Sequence, residues 1–534
     1  MKKILLWVVP FMMLSVSHAE DITIHYNGST AKVKQKIKDS VNVNVDGANV
    51  SVESLFRDHK LTLRLKGRSD DGQLILKTAG KAKVTLDGVN LTSKEGAPLD
   101  LKNKKKVEVV AANGTENTLT ITACNDTANH KAATIWAKDK LLLSGKGILN
   151  IIATGDGCRG IKTKKDITIE ELTLNVTTSG DNLGEKPFGM GFPGMPEGGF
   201  PDFGGGFPGM PEGGFPDFGG GFPMGGFPIG NDSTMRGGFP SFPGGFPDFG
   251  GMRPEGNDST MRGGFPDFSG GFPMGGFGGF GNRDENENDS VQGGFGGFAG
   301  KHKYVASTKG IASKGKIVIN SGNITVRTST AGAEGIEGKE GVVINGGNVD
   351  VLTPDDAINA SATIEFNGGR VIARSMGNDA VDSNPKGGFF MPFGGNNDQD
   401  SEPAIVITGG TVYAWSQVGS PEEGLDCDFA PFVIEGGTVF TVGGGMGEMP
   451  SVPTNETAKQ PTVLLIGIDI VKDEPITICD ADGKLIDTVT IPFSMRRSAS
   501  LIVNPAFKIG NTYTVKTKGY ENTFTLNENF MAVR

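Results

Sequence analysis

One unit recurs through this chain: a short strand alternating apolar and polar residues, a turn often built on Gly-Gly, and a second alternating strand. It is read in "GIKTKKDITIEELTLNV", "GIASKGKIVINSGNITVRT", "GIEGKEGVVINGGNVDVLT", "AINASATIEFNGGRVIARS", "AIVITGGTVYAWS" and "APFVIEGGTVFTV". Successive units place an apolar residue at Ile311, Ile336, Ile358 and Val381, a repeat of roughly 22 to 25 residues that falls in the solenoid range. Alternate residues of a strand share a face, so Ile317 with Ile319, Val342 with Ile344, Ile364 with Phe366 and Ile405 with Ile407 can stack inside a coil. Helical periodicity is nearly absent. A right-handed parallel β-helix accounts for this better than a sandwich, which would need longer strands and no fixed repeat.

The all-β solenoid is expected over residues 81–454, with looser coils in "KVTLDGVNLTSKEGAPLDL" and "AATIWAKDKLLLSGKGILNIIATGDGCRGI". A coil end left open would expose core and unpaired edges. An N-terminal β cap is therefore expected at 20–80 and a small antiparallel β unit at 455–534, where the rung pattern is lost. Two low-complexity inserts interrupt the coil. The longer, 181–303, is rich in Gly, Pro and Phe and repeats "GNDSTMRGGFP"; the shorter spans 385–403. Such composition cannot bury a regular core and predicts disorder. The long insert is a tolerated surface loop or, in a sharper reading, a sticky arm for surface or matrix contacts. Its "DST" triplets, Asp232–Thr234 and Asp258–Thr260, resemble a bacterial O-glycosylation sequon.

The first nineteen residues, MKKILLWVVPFMMLSVSHA, have the lysines, apolar stretch and small terminal residues of a signal peptide. Export to the periplasm or cell surface is expected, with no transmembrane segment further on. The formal net charge of −10 argues against nucleic acid and leaves cation binding open. Cys124, Cys158, Cys427 and Cys479 lack any CxxC spacing, which excludes a disulfide scaffold or a zinc site and leaves their pairing open. The few histidines form no HxH or HExxH pattern.

Acidic residues return at fixed offsets from the inward residue. Two positions before it stand Glu334, Asp356, Asp379 and Glu423; one position after it stand Glu337, Asn359, Asp382 and Asp426, with Asp428 close by. Equivalent residues of neighbouring rungs lie about 4.8 Å apart. Carboxylates so placed repel by roughly 1–3 kcal/mol at intermediate dielectric. Protonation, interleaved bases or a hard cation can relieve this, and the nearest base on these turns is Lys339. Ca²⁺ takes 6–8 oxygen ligands in flexible geometry, which suits carboxylates and amides on stacked turns. The bland alternative is a solvated acidic ladder that holds no ion. Asp156 extends the pattern to the coil before the insert.

In "GTVYAWS", alternation turns Tyr413 and Trp415 outward, and "GTVFTVG" sets Phe440 beside Tyr413. Exposed flat rings suit sugar faces; the alternative is that the C-terminal unit or an insert packs over them. Arg327 and Arg374 occupy equivalent outward positions two rungs apart. They are the weak candidates for a lyase base or a uronate clamp, or they simply solvate the sheet.

The motifs "VTLDGVNLTSKEGAPLDL", "NTLTIT", "KGIASKGKIVINSGNITVRT" and "GLDCDFAPFVIEGGTVF" resemble the carbohydrate-binding β-helix family of exported bacterial proteins, whose domain is clostridial-type and pectate-lyase-like. The resemblance covers nearly the whole chain outside the signal and the inserts. It implies bound Ca²⁺ and affinity for plant-type polysaccharide, polygalacturonate-like or cellulose-like, with acidic polymers favoured. Lyase-like shape does not imply cleavage, because function resides in the site. A non-catalytic polysaccharide-binding protein is therefore expected first. A Ca²⁺-dependent lyase comes second, and an adhesive protein acting through the Phe/Gly arm third.

Overall fold

The computed structural model describes residues 20–125, 132–186, 303–385, 402–427, 430–445 and 450–534. The signal segment, nearly all of both inserts, the two DST triplets and Asp428 lie outside the described residues. Every element of regular structure among the described residues is a β-strand, in sheets of 23, 11, 4 and 2 strands.

Three parallel ladders wind along the coil. One rung shows the plan: the strand Glu334–Gly338, a turn, Val342–Ile344, the Gly346-Gly347 turn, and Asn348–Thr353. Each piece pairs in parallel with its counterpart in the next rung: Ile336 with Ile358, Val342 with Ile364, and Val349 with Val371. The parallel β-helix expected from the repeat is thus present. Parallel pairing starts well before residue 81, since Ile22–Asn27 already lies parallel to Leu61–Ser69 and Asn49–Ser54 to Gln73–Thr78. The core is a stack of Ile, Val and Leu from all three ladders, and Ile311, Ile336, Ile358 and Val381 are fully buried in it.

The turns explain the Gly-Gly pairs. Gly347 has φ of +88°, and a Cβ there would stand 2.7 Å from the carbonyl oxygen of Gly322 one rung away. A side chain is excluded by both conformation and space. Beside these turns, Asn345 donates to Asn320 at 2.9 Å and Asn367 to Asn345 at 3.0 Å, an amide ladder that locks rung to rung.

The 181–303 insert leaves the coil through a short antiparallel pair, Leu183–Lys186 with Lys303–Ala306. Ile161 of the rung before it pairs directly with Ile311 of the rung after it, so the coil continues across the insertion point. At the far end, Thr462–Ile470 and Met495–Val503 pair antiparallel with each other, and Met495–Val503 also pairs antiparallel with Thr438–Val442 of the last rung. A separate four-stranded antiparallel sheet joins Pro475–Asp480 and Leu485–Thr490, which lie between those two strands, to Thr512–Thr517 and Tyr520–Thr525 after them.

Candidate functional site: a buried charge column on one corner

The corner strand of each rung has an inward residue that belongs to the core. The two side chains flanking it, two positions before and one after, form columns along the coil. Ladder register places Lys309 against Glu334. Asp356 and Asp379 follow because Ile336, Ile358 and Val381 pair in sequence, and Glu423 follows through Val381 and Leu425. On the other side Glu337 pairs with Asn359, Asn359 with Asp382, and Asp382 with Asp426. The ladder read from the sequence therefore exists as a contiguous stack. Glu334, Asp356, Asp379, Glu423, Glu337, Asn359 and Asp382 are all buried, and Asp426 is half-buried.

Burial changes the chemistry, because a carboxylate removed from water must be paired or protonated. At the N-terminal end of the acidic run the partner is a lysine. Lys309 Nζ lies 3.1 Å from Glu334 Oε2 and 2.7 Å from Glu337 Oε2, and Lys339 also reaches Glu337. Burial would raise Glu337, but Lys309 and Lys339 outweigh it and hold its carboxyl at about 2. Burial and the Glu337 charge push Glu334 up to about 7. Sequence reasoning missed Lys309, although the signal was available: it stands two residues before Ile311, the column's own offset. Arg159 stands at that offset before Ile161, so two bases precede the acids along the column.

Further along, amides partly compensate. Asn359 Nδ2 donates to Asp356 Oδ2 at 2.7 Å and to Asp382 Oδ2 at 3.1 Å, and Asn384 donates to the same Asp382 oxygen at 2.7 Å. The backbone N–H of Glu423 donates to Asp379, and that of Ser451 donates to Glu423 Oε2 at 2.6 Å. Asp356 Oδ1 is buried with no hydrogen-bond partner among the described residues. Burial, then repulsion from Asp355, Asp379 and Glu334, raises Asp356 well above the usual carboxylate range. Asp379 is raised likewise by burial and by Asp426 and Asp382. Asp355 and Glu422, which the expected site omits, join the cluster from one position further back. Asp355 accepts from Asn378 at 2.8 Å, and burial with the Asp426 charge lifts Glu422 to about 7.

Oxygen-only donors, excess negative charge and an orphaned buried oxygen fit a hard cation such as Ca²⁺ in chemistry. The candidates are the members from Asp356 to Asp426, since Lys309 already occupies Glu334 and Glu337. Among the described residues no three Asp, Glu, His or Cys side chains converge as a ready-made metal cluster. Amide and backbone oxygens would have to complete any coordination shell.

The aromatic expectation needs correction. Tyr413 and Trp415 stack with centroids 5.6 Å apart, but Trp415 and Phe440 are buried in a cluster with Val463, Leu465 and Ile502 of the C-terminal strands. Trp415 Nε1 donates to the carbonyl of Phe440 at 3.2 Å. These two rings face outward from the coil, yet the chain folds back over them, so they are core rather than an open sugar platform. Tyr413 is half-buried beneath the Arg370 guanidinium, 5.3 Å from its ring centroid. Arg327 and Arg374 converge on one carboxylate: Arg327 Nη2 is 2.9 Å from Asp350 Oδ2, and Arg374 bonds Asp350 Oδ1. They form a cross-rung ion network.

A family model described as "Carbohydrate-binding domain-containing protein" matches residues 46–186 and 278–380. A protein of Acetivibrio thermocellus with the same description is 32% identical over 158 residues, covering 28% of this chain and 54% of that protein. The match thus spans about half the length of that curated relative. A solved structure titled as the polysaccharide lyase-like protein from C. thermocellum, gadolinium derivative, is 15% identical with a TM-score of 0.36, over 66% of this chain and 90% of that one. The family match and the curated relative bear out the resemblance to carbohydrate-binding proteins read from the rung motifs.

Proposed function

From the resemblance to carbohydrate-binding domain proteins, we propose that this chain is an exported, calcium-dependent polysaccharide-binding protein of the periplasm or cell surface, favouring acidic plant-type glycans and cleaving none. The observation that carries the calcium reading is the buried acidic column, with Asp356 Oδ1 unpartnered and Asp356 and Asp379 both held protonation-prone by their neighbours. Asp356, Asp379, Asp382, Glu423 and Asp426, with Asn359, would supply the oxygens. A bound Ca²⁺ supplies positive charge that offsets the column's repulsion and can attract a uronate carboxylate. The chain's own residues orient the carboxylates through Asn359, Asn378 and Asn384.

The non-catalytic part of the reading is supported by the arginines. A lyase needs a base free to take the proton next to a uronate carboxylate, and Arg327 and Arg374 are engaged with Asp350. The test is calorimetric Ca²⁺ titration of the wild type and of Asp356→Asn/Asp379→Asn, together with retention on polygalacturonate and ultraviolet detection of unsaturated uronate products. Ca²⁺ binding lost in the double variant, retention on the polymer and silent product assays are expected. Equal Ca²⁺ binding in the two proteins would remove the calcium site, and product formation would make the protein a lyase.

A further inference from the structure

A second column runs along the same corner, three residues after the inward one, and it is basic. Lys77, Lys102, Lys138, Lys164, Lys314 and Lys339 hold this position in successive rungs. The backbone N–H of Lys102, Lys138, Lys164, Lys314 and Lys339 each donates, at 2.8 to 3.1 Å, to the residue just before the preceding lysine: Leu76, Leu101, Ala137, Thr163 and Ser313. Strand spacing therefore repeats one cation about every 4.8 Å, a step comparable with one pyranose residue of an extended glycan. Lys77 pairs with Glu53 at 2.7 Å and Lys102 with Asp100 at 3.0 Å. The Lys77–Glu53 pair is exposed, and such a pair is weak and yields readily to another anion, whereas the carboxylate facing Lys102 is buried. Among the described residues, no ion pair engages Lys104 or Lys138.

Four lysines of this column, at 77, 102, 138 and 164, converge with Lys104 and Trp136 on a groove of about 640 Å³ in which Glu53 is the one acid among the described lining residues. Trp136 is 4% exposed, and among the described residues its Nε1–H has no hydrogen-bond partner. An indole N–H can only donate, and leaving it buried without an acceptor is costly. A groove with surplus positive charge and a waiting donor is built for an anionic, oxygen-rich ligand.

We propose that this groove binds a linear acidic polysaccharide, its carboxylates or sulfates following the lysine column and a sugar oxygen accepting from Trp136 Nε1. The proposal rests on the polysaccharide-binding reading but not on calcium, and it lies on coils N-terminal to the acidic column. Nucleic acid is disfavoured because Trp136 is too buried to stack on a base and the chain's net charge is −10.

The test measures affinity of the full chain for polygalacturonate, dextran sulfate, neutral dextran and double-stranded DNA, in EDTA and in Ca²⁺. Binding to one of the acidic glycans in EDTA, falling steeply with added salt, is expected; which of the two is held tells carboxylate from sulfate. Lys102→Ala/Lys138→Ala is expected to weaken it about tenfold, with Lys102→Arg/Lys138→Arg retaining most of it. Trp136→Phe keeps a ring and loses the donor, so it should weaken binding without changing its salt dependence. Unchanged affinity in the alanine pair, or equal retention of neutral dextran or DNA, overturns the proposal. If acidic glycan is held only with Ca²⁺ and is lost in Asp356→Asn/Asp379→Asn, the lysine groove fails while polysaccharide binding stands. If no glycan is held under either condition, both readings fail.

Discussion

Lys309 shows how much one buried side chain decides. It is 2% exposed and touches both Glu334 and Glu337. Breaking a buried ion cluster by removing one partner costs about 3–5 kcal/mol, because the others stay buried and uncompensated. Lys309→Met should therefore lower the thermal midpoint strongly at pH 7, and acidification to pH 5 should recover part of the loss as Glu334 and Glu337 take up protons. The acids beyond Lys309 set the pH profile of the native protein. Glu334 and Glu422, both near 7, and Asp356 and Asp379, also raised, bind protons in the folded state that the unfolded chain has already lost. Their stabilisation is complete below the ordinary carboxylate range and is lost as pH rises toward and through their folded values. Glu337, held at about 2, acts oppositely, and its contribution is lost only as pH falls toward that value. Without metal, melting followed by circular dichroism should show a higher midpoint at pH 5 than at pH 8. Asp356→Asn should flatten that difference, and Ca²⁺ should raise the midpoint at pH 8 in the wild type but much less in the variant.

At the scale of strands, the repeat made the coil legible because solenoid contacts join equivalent residues of adjacent rungs, so period and alternation encode both inside and register. The same logic exposed the acidic columns, Asp356 over Asp379 and Asn359 over Asp382, before any coordinates. Lys309 is less legible because it changes the sign of the column one rung before Glu334. The aromatic stripe was legible only as a choice between an open platform and a covered one. Alternation tells that Trp415 and Phe440 leave the coil interior, but the cover over them comes from Thr462–Ile470 and Met495–Val503, a fold-back that no local pattern encodes. Trp136 is not legible as a site residue from the sequence, because its column gains meaning only where the lysines beside it share a groove. The covered aromatic patch carries its own expectation. Trp415→Ala should cost about 3–5 kcal/mol by leaving a cavity between the last rungs and the C-terminal strands, seen as a lower denaturant midpoint. A small loss of stability with weakened glycan retention would instead return Trp415 to the sugar-binding surface.

Along the whole coil, one corner changes sign: lysines and Arg159 dominate the rungs up to Lys309, and carboxylates dominate from Glu334 to Asp426. In a solenoid each rung contacts only its neighbours, so stability is close to a sum of local and nearest-neighbour contributions. A ligand at one end should then protect that end first, with the effect fading along the coil. Hydrogen exchange resolved by peptide can read this directly. Ca²⁺ is expected to slow exchange in peptides covering 350–427 while leaving those covering 61–125 unchanged, and an acidic glycan in EDTA should do the reverse by protecting 73–164. Uniform protection by either ligand would mean that the coil responds as one cooperative block, and the two corner columns would then have to be treated as a single coupled site.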